Sequence, residues 1–323
     1  MAAIGAWDIG AVEALVAAGA DARMPLPDGG TPLEFAVEQG SPALFDAARG
    51  QWPAASLTQA DRARLLTLAR QWYETGVQEM LRHRSAAALG QAKITPVADG
   101  EWDWVEEVAL GGHRVRAGHG ALLTTLEWES RMLTPVGELI DRAVRHTRAS
   151  WDEDLDHVDR AASLWVLASR YSWETWTAVT DHRRHPDPQR RRFAAQFLRL
   201  ALHHEGSRRN SYAKDTARVL DEWAGSEQEP TVLEALLRTC ADADLADERV
   251  EEILLACATH PDARVRRAVP LAVREVTEPM AQALLALARD PDAQVRARAA
   301  NELSGVSRPP SGLARRSLLF SRL

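Results

Sequence analysis

The sequence is short of the residues on which a quick functional assignment would rest. It has two cysteines, Cys240 and Cys257, both inside apolar helical patterns. Two such thiols build no disulfide framework and supply no zinc site by themselves, and they fit a reducing compartment. Lysine is nearly absent, with Lys93 and Lys214 the only two among 39 basic residues. The rest are arginines, but the net charge is −7, so the arginine excess is a compositional bias and not a general affinity for phosphate, which needs a positive field. No apolar run approaches the ~20 residues of a membrane span, and the start Met1-Ala2-Ala3-Ile4 lacks the basic region of a signal peptide. A cytoplasmic chain that does not enter a membrane is expected. Gly-x-Ser-x-Gly, a phosphate-binding Gly-rich loop and His-Glu-x-x-His are all missing, so no motif assigns a catalytic residue, a cofactor or a metal.

What the sequence does contain is length and apolar material. At 323 residues with 46% hydrophobic side chains, the chain calls for two domains or one elongated array. Charge is uneven. Residues 1–180 carry 16 basic and 25 acidic side chains, and residues 181–323 carry 23 and 21. The steepest basic excess runs from His182 to Leu220, with ten Lys or Arg against Asp187, Glu205 and Asp215.

Two kinds of internal pattern set the expected fold. The run from Gly10 to Asp21 reads as an amphipathic helix closed by Gly19. After it come Asp28-Gly29-Gly30-Thr31-Pro32-Leu33-Glu34-Phe35-Ala36, where Thr31 is placed to cap a helix beginning at Pro32. A second helix starts after Gly40-Ser41-Pro42. These residues resemble the ankyrin repeat, whose opening reads Asp-Gly-x-Thr-Pro-Leu-His-x-Ala; Glu34 stands where that family has His. The resemblance covers about residues 4–49. So short a segment buries no core alone and must lean on later parts of the chain.

Farther on, His185-Pro-Asp187, His260-Pro-Asp262 and Asp290-Pro-Asp292 each open a helix, and Arg191, Arg266 and Arg296 stand four residues after Asp187, Asp262 and Asp292. The aspartates suit helix caps, and the arginines are positioned to reach a carboxylate of the neighbouring repeat. The pattern resembles the short HEAT-like repeat of bilin lyases, over about 175–203 and 231–304 and loosely over 156–172. That resemblance implies an α-α superhelix, or solenoid. Between the two patterns, Thr58–Arg82 reads as helical with Gly76 as a break. Residues 101–117 alternate around Gly111-Gly112 as a β-hairpin, setting Val108 opposite Val115 and Glu107 opposite Arg116. Thr134-Pro135 reads as the cap of the next helix. The expected division is ankyrin-like repeats at 1–50, a linker helix at 51–100, a hairpin insertion at 101–117, HEAT-like repeats at 118–304 and a flexible basic tail at 305–323.

Candidate chemistry is thin. His182, His185, His203 and His204, with Asp181 and Asp187, have the residue types of a metal site, but His185 repeats as His260 and Asp290, which argues a structural role. His113 and His119 beside Glu106 and Glu107 have the makings of an acid–base pair, or are polar trimming of a loop. The eleven tryptophans read mainly as core. The basic stripe is the main functional clue: in helix 188–203, Phe193, Phe197, Leu200 and Ala201 point inward, leaving Arg192, Gln196, Arg199 and His203 in line, with Arg208 and Arg209 beyond. The alternative is a solvated face neutralised by the acidic segment 152–159. The expected function is a non-enzymatic scaffold binding a protein partner with an acidic segment. Nucleic-acid binding of a DNA-glycosylase kind, or a lyase acting on a protein-bound group, are the alternatives.

Overall fold

The computed structural model of the chain describes residues 1–27, 29–50, 57–84, 90–146, 156–204, 212–243 and 247–305. Arg208, Arg209 and all of the expected tail except Gly305 lie outside these residues. The protein is mostly α-helical with one small sheet, and it divides into two compact units after Val166. Residues 118–166, which the sequence groups with the expected HEAT-like repeats at 118–304, fall in the first unit.

The first unit begins with α1 (Ala2–Gly5), α2 (Ile9–Ala17), α3 (Pro32–Glu38) and α4 (Pro42–Arg49). Gly19 closes α2 with φ +93°. Thr31 Oγ1 accepts the Glu34 N–H while Glu34 Oε2 accepts the Thr31 N–H at 2.9 Å, a reciprocal cap of α3. Glu34 thus ties down the turn that opens α3. Next come α5 (Gln59–Thr75) and α6 (Val77–Arg84), separated at Gly76 with φ +83°. After α6, within the stretch 51–100 expected as a linker helix, the chain also forms a strand, β1 (Lys93–Asp99), which pairs antiparallel with β2 (Asp103–Leu110).

β3 (His113–Arg116) completes the hairpin, with Val108 opposite Val115 and Glu107 opposite Arg116 as the two-residue turn requires. Gly111 and Gly112 both have positive φ. The unit continues through α7 (His119–Glu129), α8 (Val136–Val144), β4 (Asp156–His157) and α9 (Val158–Ala168) as far as Val166. β4 runs parallel to β2, pairing Trp104 with His157. β1 occupies one edge of β2, so β3 and β4 share the other. Thr134 does not cap α8; its hydroxyl donates to Glu127 Oε2 instead, where a buried carboxylate needs it more.

Helices α3 and α4 pack against α5 and α7. Ala36, Val37, Leu44 and Phe45 share a core with Leu65 and Ala69 of α5 and with Leu122, Leu123 and Leu126 of α7. The tight turn at Gly40 touches the hairpin through backbone: Arg116 N–H donates to Gln39 O at 3.0 Å and Gly118 N–H to Gly40 O at 2.9 Å. Asp99, at the end of β1, accepts from Ser41 Oγ, from Ala43 N–H and from Arg116 Nη1, so one buried carboxylate joins α4 to both outer strands.

The second unit is a succession of helices: α10 (Trp173–Thr180), a 3-10 turn at Asp181–Arg184, α11 (Pro188–His204), α12 (Ala213–Ala224), α13 (Pro230–Asp242), α14 (Asp247–Ala258), α15 (Ala263–Ala272), α16 (Glu278–Leu287) and α17 (Ala293–Leu303). Here α11 packs on α13, α13 on α15 and α15 on α17, while α12, α14 and α16 each contact the next helix in the chain. Leu237, Leu254, Val265, Val269, Leu284, Val295 and Ala299 belong to one continuous core.

The repeated motif explains how these turns are held. His185 and His260 each accept the N–H of the aspartate two residues on, at 3.0 Å, and Asp290 does the same at 2.8 Å. Asp187, Asp262 and Asp292 then accept the N–H of the second residue of their helices. Arg191, Arg266 and Arg296 each donate back to the two carbonyls that precede that aspartate, at 2.7–3.0 Å. The remaining nitrogens of Arg191 reach Glu227, and those of Arg266 reach Asp290, in each case in the loop before the next helix but one.

Candidate functional site

The basic stripe on α11 is partly spent inside the fold. Arg192, Gln196 and Arg199 are half-buried and His203 is exposed. Arg199 Nε donates to Asp242 Oδ2 at 2.6 Å, and His203 Nε2 lies 2.9 Å from the same oxygen. Burial works against the charge on Asp242, but those two partners outweigh it and hold the carboxyl below its ordinary range. Asp242 of α13 thus neutralises the Arg199 and His203 end of the stripe. Arg208 and Arg209 fall outside the described residues.

Among the described side chains, His182, His185 and His203 face different partners. His182 Nδ1 lies 3.0 Å from Ala178 O, His185 Nδ1 accepts the Asp187 N–H, and His203 faces Asp242. His113 and His119 are also apart in environment, His113 exposed on the hairpin and His119 buried at the start of α7. Glu107 is directed toward Arg114, whereas Glu106, one residue away and on the opposite face of β2, turns inward.

Glu106 leads to a group assembled from distant parts of the chain. Its Oε2 lies 3.2 Å from Nδ1 of His146, just beyond α8, and His146 Nε2 lies 3.5 Å from Asp159 Oδ2. Asp159, in the first turn of α9, accepts the Ala121 N–H at 2.6 Å through its other oxygen, closing the N-terminus of α7. His157 accepts the Asp159 N–H at 3.2 Å, stacks on His146 with ring centres 4.1 Å apart, and meets the edge of Trp104. His157 Nε2 and Asp159 Oδ2 are buried and make no hydrogen bond among the described residues. Among those residues, His146, His157 and Asp159 are the one set of three such side chains whose ligand atoms come within 4.8 Å of one another.

Electrostatics separates the members. Burial disfavours the charged form of His146, yet the hydrogen bond to Glu106 and the charge of Asp159 raise its pKa. Burial and the neighbouring charges of His146 and Arg160 drive His157 well below its usual value. Burial pushes Asp159 up to about 6 against the pull of His146, and takes His119, stacked flat on Trp72, down to about 3. Glu106, His146, Asp159 and His119 line one cavity of about 310 Å³ together with Trp72, Tyr73 and Arg145. Gly120 keeps the floor open: a Cβ there would stand 2.4 Å from Asp159 Oδ2.

Two details limit chemistry elsewhere. The thiols of Cys240 and Cys257 are pushed up by burial to about 12 and about 11, which leaves them protonated and unreactive. No helix among the described residues is long and apolar enough to cross a membrane. No protein-family model and no curated protein matches this sequence.

Proposed function

We propose that this chain is a protein-interaction scaffold, with a HEAT-like helical array in its second unit and ankyrin-like helices at its start. The observation that supports the reading is the recurrence of one turn construction at α11, α15 and α17. In each, an acceptor at the first position, an aspartate cap and an arginine donating back to two carbonyls build the same corner. Equivalent corners let helices add in series, each burying its apolar stripe on the next, and a series of that kind leaves side chains free for a partner without needing a reactive centre. The link from such an array to partner binding is an analogy of fold.

The partner surface in this reading is the α11 stripe of Arg192, Gln196, Arg199 and His203, joined by Arg208 and Arg209, which follow it in sequence. The favoured partner is a protein with an acidic segment, because guanidinium groups pair carboxylates in two-pronged fashion. Reversing Arg192 and Arg208 to Glu is expected to weaken capture of such a partner by tenfold or more, on the order of 1.4 kcal/mol. Capture that is unchanged would exclude this surface, and a salt-sensitive shift of duplex DNA by the wild type would favour nucleic acid instead.

A further inference from the structure

The geometry points to a binding site for a divalent transition-metal ion in the first unit, held by His146, Asp159 and His157, with an open coordination position toward the cavity beside α5 and α7. This site is independent of the scaffold reading, which rests on the second unit.

Three features carry it. The first is the bite of His146 and Asp159. Their facing atoms, Nε2 and Oδ2, stand 3.5 Å apart. An ion bonded to each at about 2.0–2.1 Å in a tetrahedral arrangement separates its ligands by about 3.4 Å. The two side chains are set at that spacing without moving. The second feature is Glu106. Metal-bound imidazoles characteristically donate their other N–H to a carboxylate, which fixes the tautomer and the ring direction. Glu106 Oε2 is placed for that role on Nδ1 of His146. The third is a pair of buried polar atoms without a hydrogen bond among the described residues, of which Asp159 Oδ2 also has the ionic contact with His146. Asp159 Oδ2 and His157 Nε2 belong to residues only 1% and 3% exposed, and neither has a hydrogen-bond partner among the described residues. Buried polar atoms are rarely left so.

His157 defines what has to move. Its ring lies nearly parallel to that of His146, with 17° between the planes. Lone pairs lie in the ring plane, so two stacked imidazoles do not aim at one point. His157 therefore joins the ion by turning about its Cβ–Cγ bond, giving up the 3.2 Å contact from the Asp159 N–H. Without it, His146 and Asp159 make a weaker two-residue site. His146 and Asp159 line the cavity of about 310 Å³, so the position left over faces that space, where a water or a small oxygen ligand has room. Imidazole nitrogens with one carboxylate favour Zn²⁺, Co²⁺ or Fe²⁺ over Mg²⁺ or Ca²⁺.

The test is titration of the metal-free full-length chain with Zn²⁺ by calorimetry and with Co²⁺ by visible absorption. One equivalent bound, with the absorption of a low-coordinate Co²⁺ ion, is the expected result. His146→Gln and His157→Gln should each weaken binding by at least tenfold, and Glu106→Gln by ten- to a hundredfold. The double variant His182→Gln, His185→Gln should bind as the wild type does. Should the cluster variants fail to fold, crystals of the wild type soaked in Zn²⁺ decide the matter by anomalous scattering. A peak between His146 and Asp159 supports the site. No binding by the wild type, binding that survives His146→Gln, or an anomalous peak only at surface histidines would overturn it.

Discussion

At the scale of single residues, a few charged side chains hold disproportionate structure. Glu127 on α7 accepts from Arg142, Thr134 and Arg70, all at 2.8 Å, and both Glu127 and Arg142 are almost wholly buried. Removing one member of such a pair strands the other charge. Arg142→Met is therefore expected to cost about 3–5 kcal/mol in urea unfolding, while Arg218→Met, whose exposed pairs with Asp215 and Glu222 are long, should cost well under about 1 kcal/mol. Similar losses for the two would contradict this assignment. Arg266 lies between these cases. It bonds two carbonyls and both oxygens of Asp290, and Arg266→Met should cost about 2 kcal/mol. Gly40 is constrained in a different way: at φ +66° a Cβ would stand 1.9 Å from the Arg116 carbonyl oxygen. Gly40→Ala should lower the melting temperature of the first unit, because the close backbone cannot retreat. Gly29→Ala, where a Cβ meets nothing, is the comparison that isolates strain from crowding.

At the scale of elements, the parts readable in the sequence are those built from neighbouring residues. The caps at Thr31, Asp187, Asp262 and Asp292, the break at Gly76 and the register across Gly111-Gly112 all arise from residues within a turn of one another. β1 is hidden in the sequence because Lys93–Asp99 is largely exposed, carries Pro96 and lies on an edge, so its alternation is weak. Thr134 departs from its expected capping role for a tertiary reason: its hydroxyl is claimed by Glu127, seven residues back and buried. The His146–His157–Asp159 group is out of reach of the sequence for the same kind of reason. Glu106 arrives on β2, His157 through the short parallel pairing of β4, and His146 from beyond α8, so no local spacing announces them. One signal is present. His157-Val158-Asp159 has the His-x-Asp form of His185 to Asp187 and His260 to Asp262, and its histidine accepts the same N–H two residues on.

At the scale of the whole molecule, stability should depend on acidity in a defined direction. Arg266 holds Asp290 below the ordinary carboxylate range; burial opposes the same shift at Glu227 and Asp242, where Arg191 and the pair Arg199 and His203 prevail. A carboxyl whose folded pKa is depressed contributes stability above its unfolded value, roughly pH 4, and loses it as pH falls through the lower folded value. The urea midpoint of the second unit should fall as the solution is taken below about pH 4, and less steeply in Arg266→Met. A midpoint that is flat across that range would contradict the pairing. The central functional claim, that the chain works by holding another protein, is tested most directly by affinity capture of the tagged full chain with quantitative mass spectrometry, run beside the double variant Arg192→Glu, Arg208→Glu and an Arg82→Glu control. The account predicts an acidic partner retained by wild type and control and lost from the double variant. An identical set of captured proteins from all three chains would contradict it.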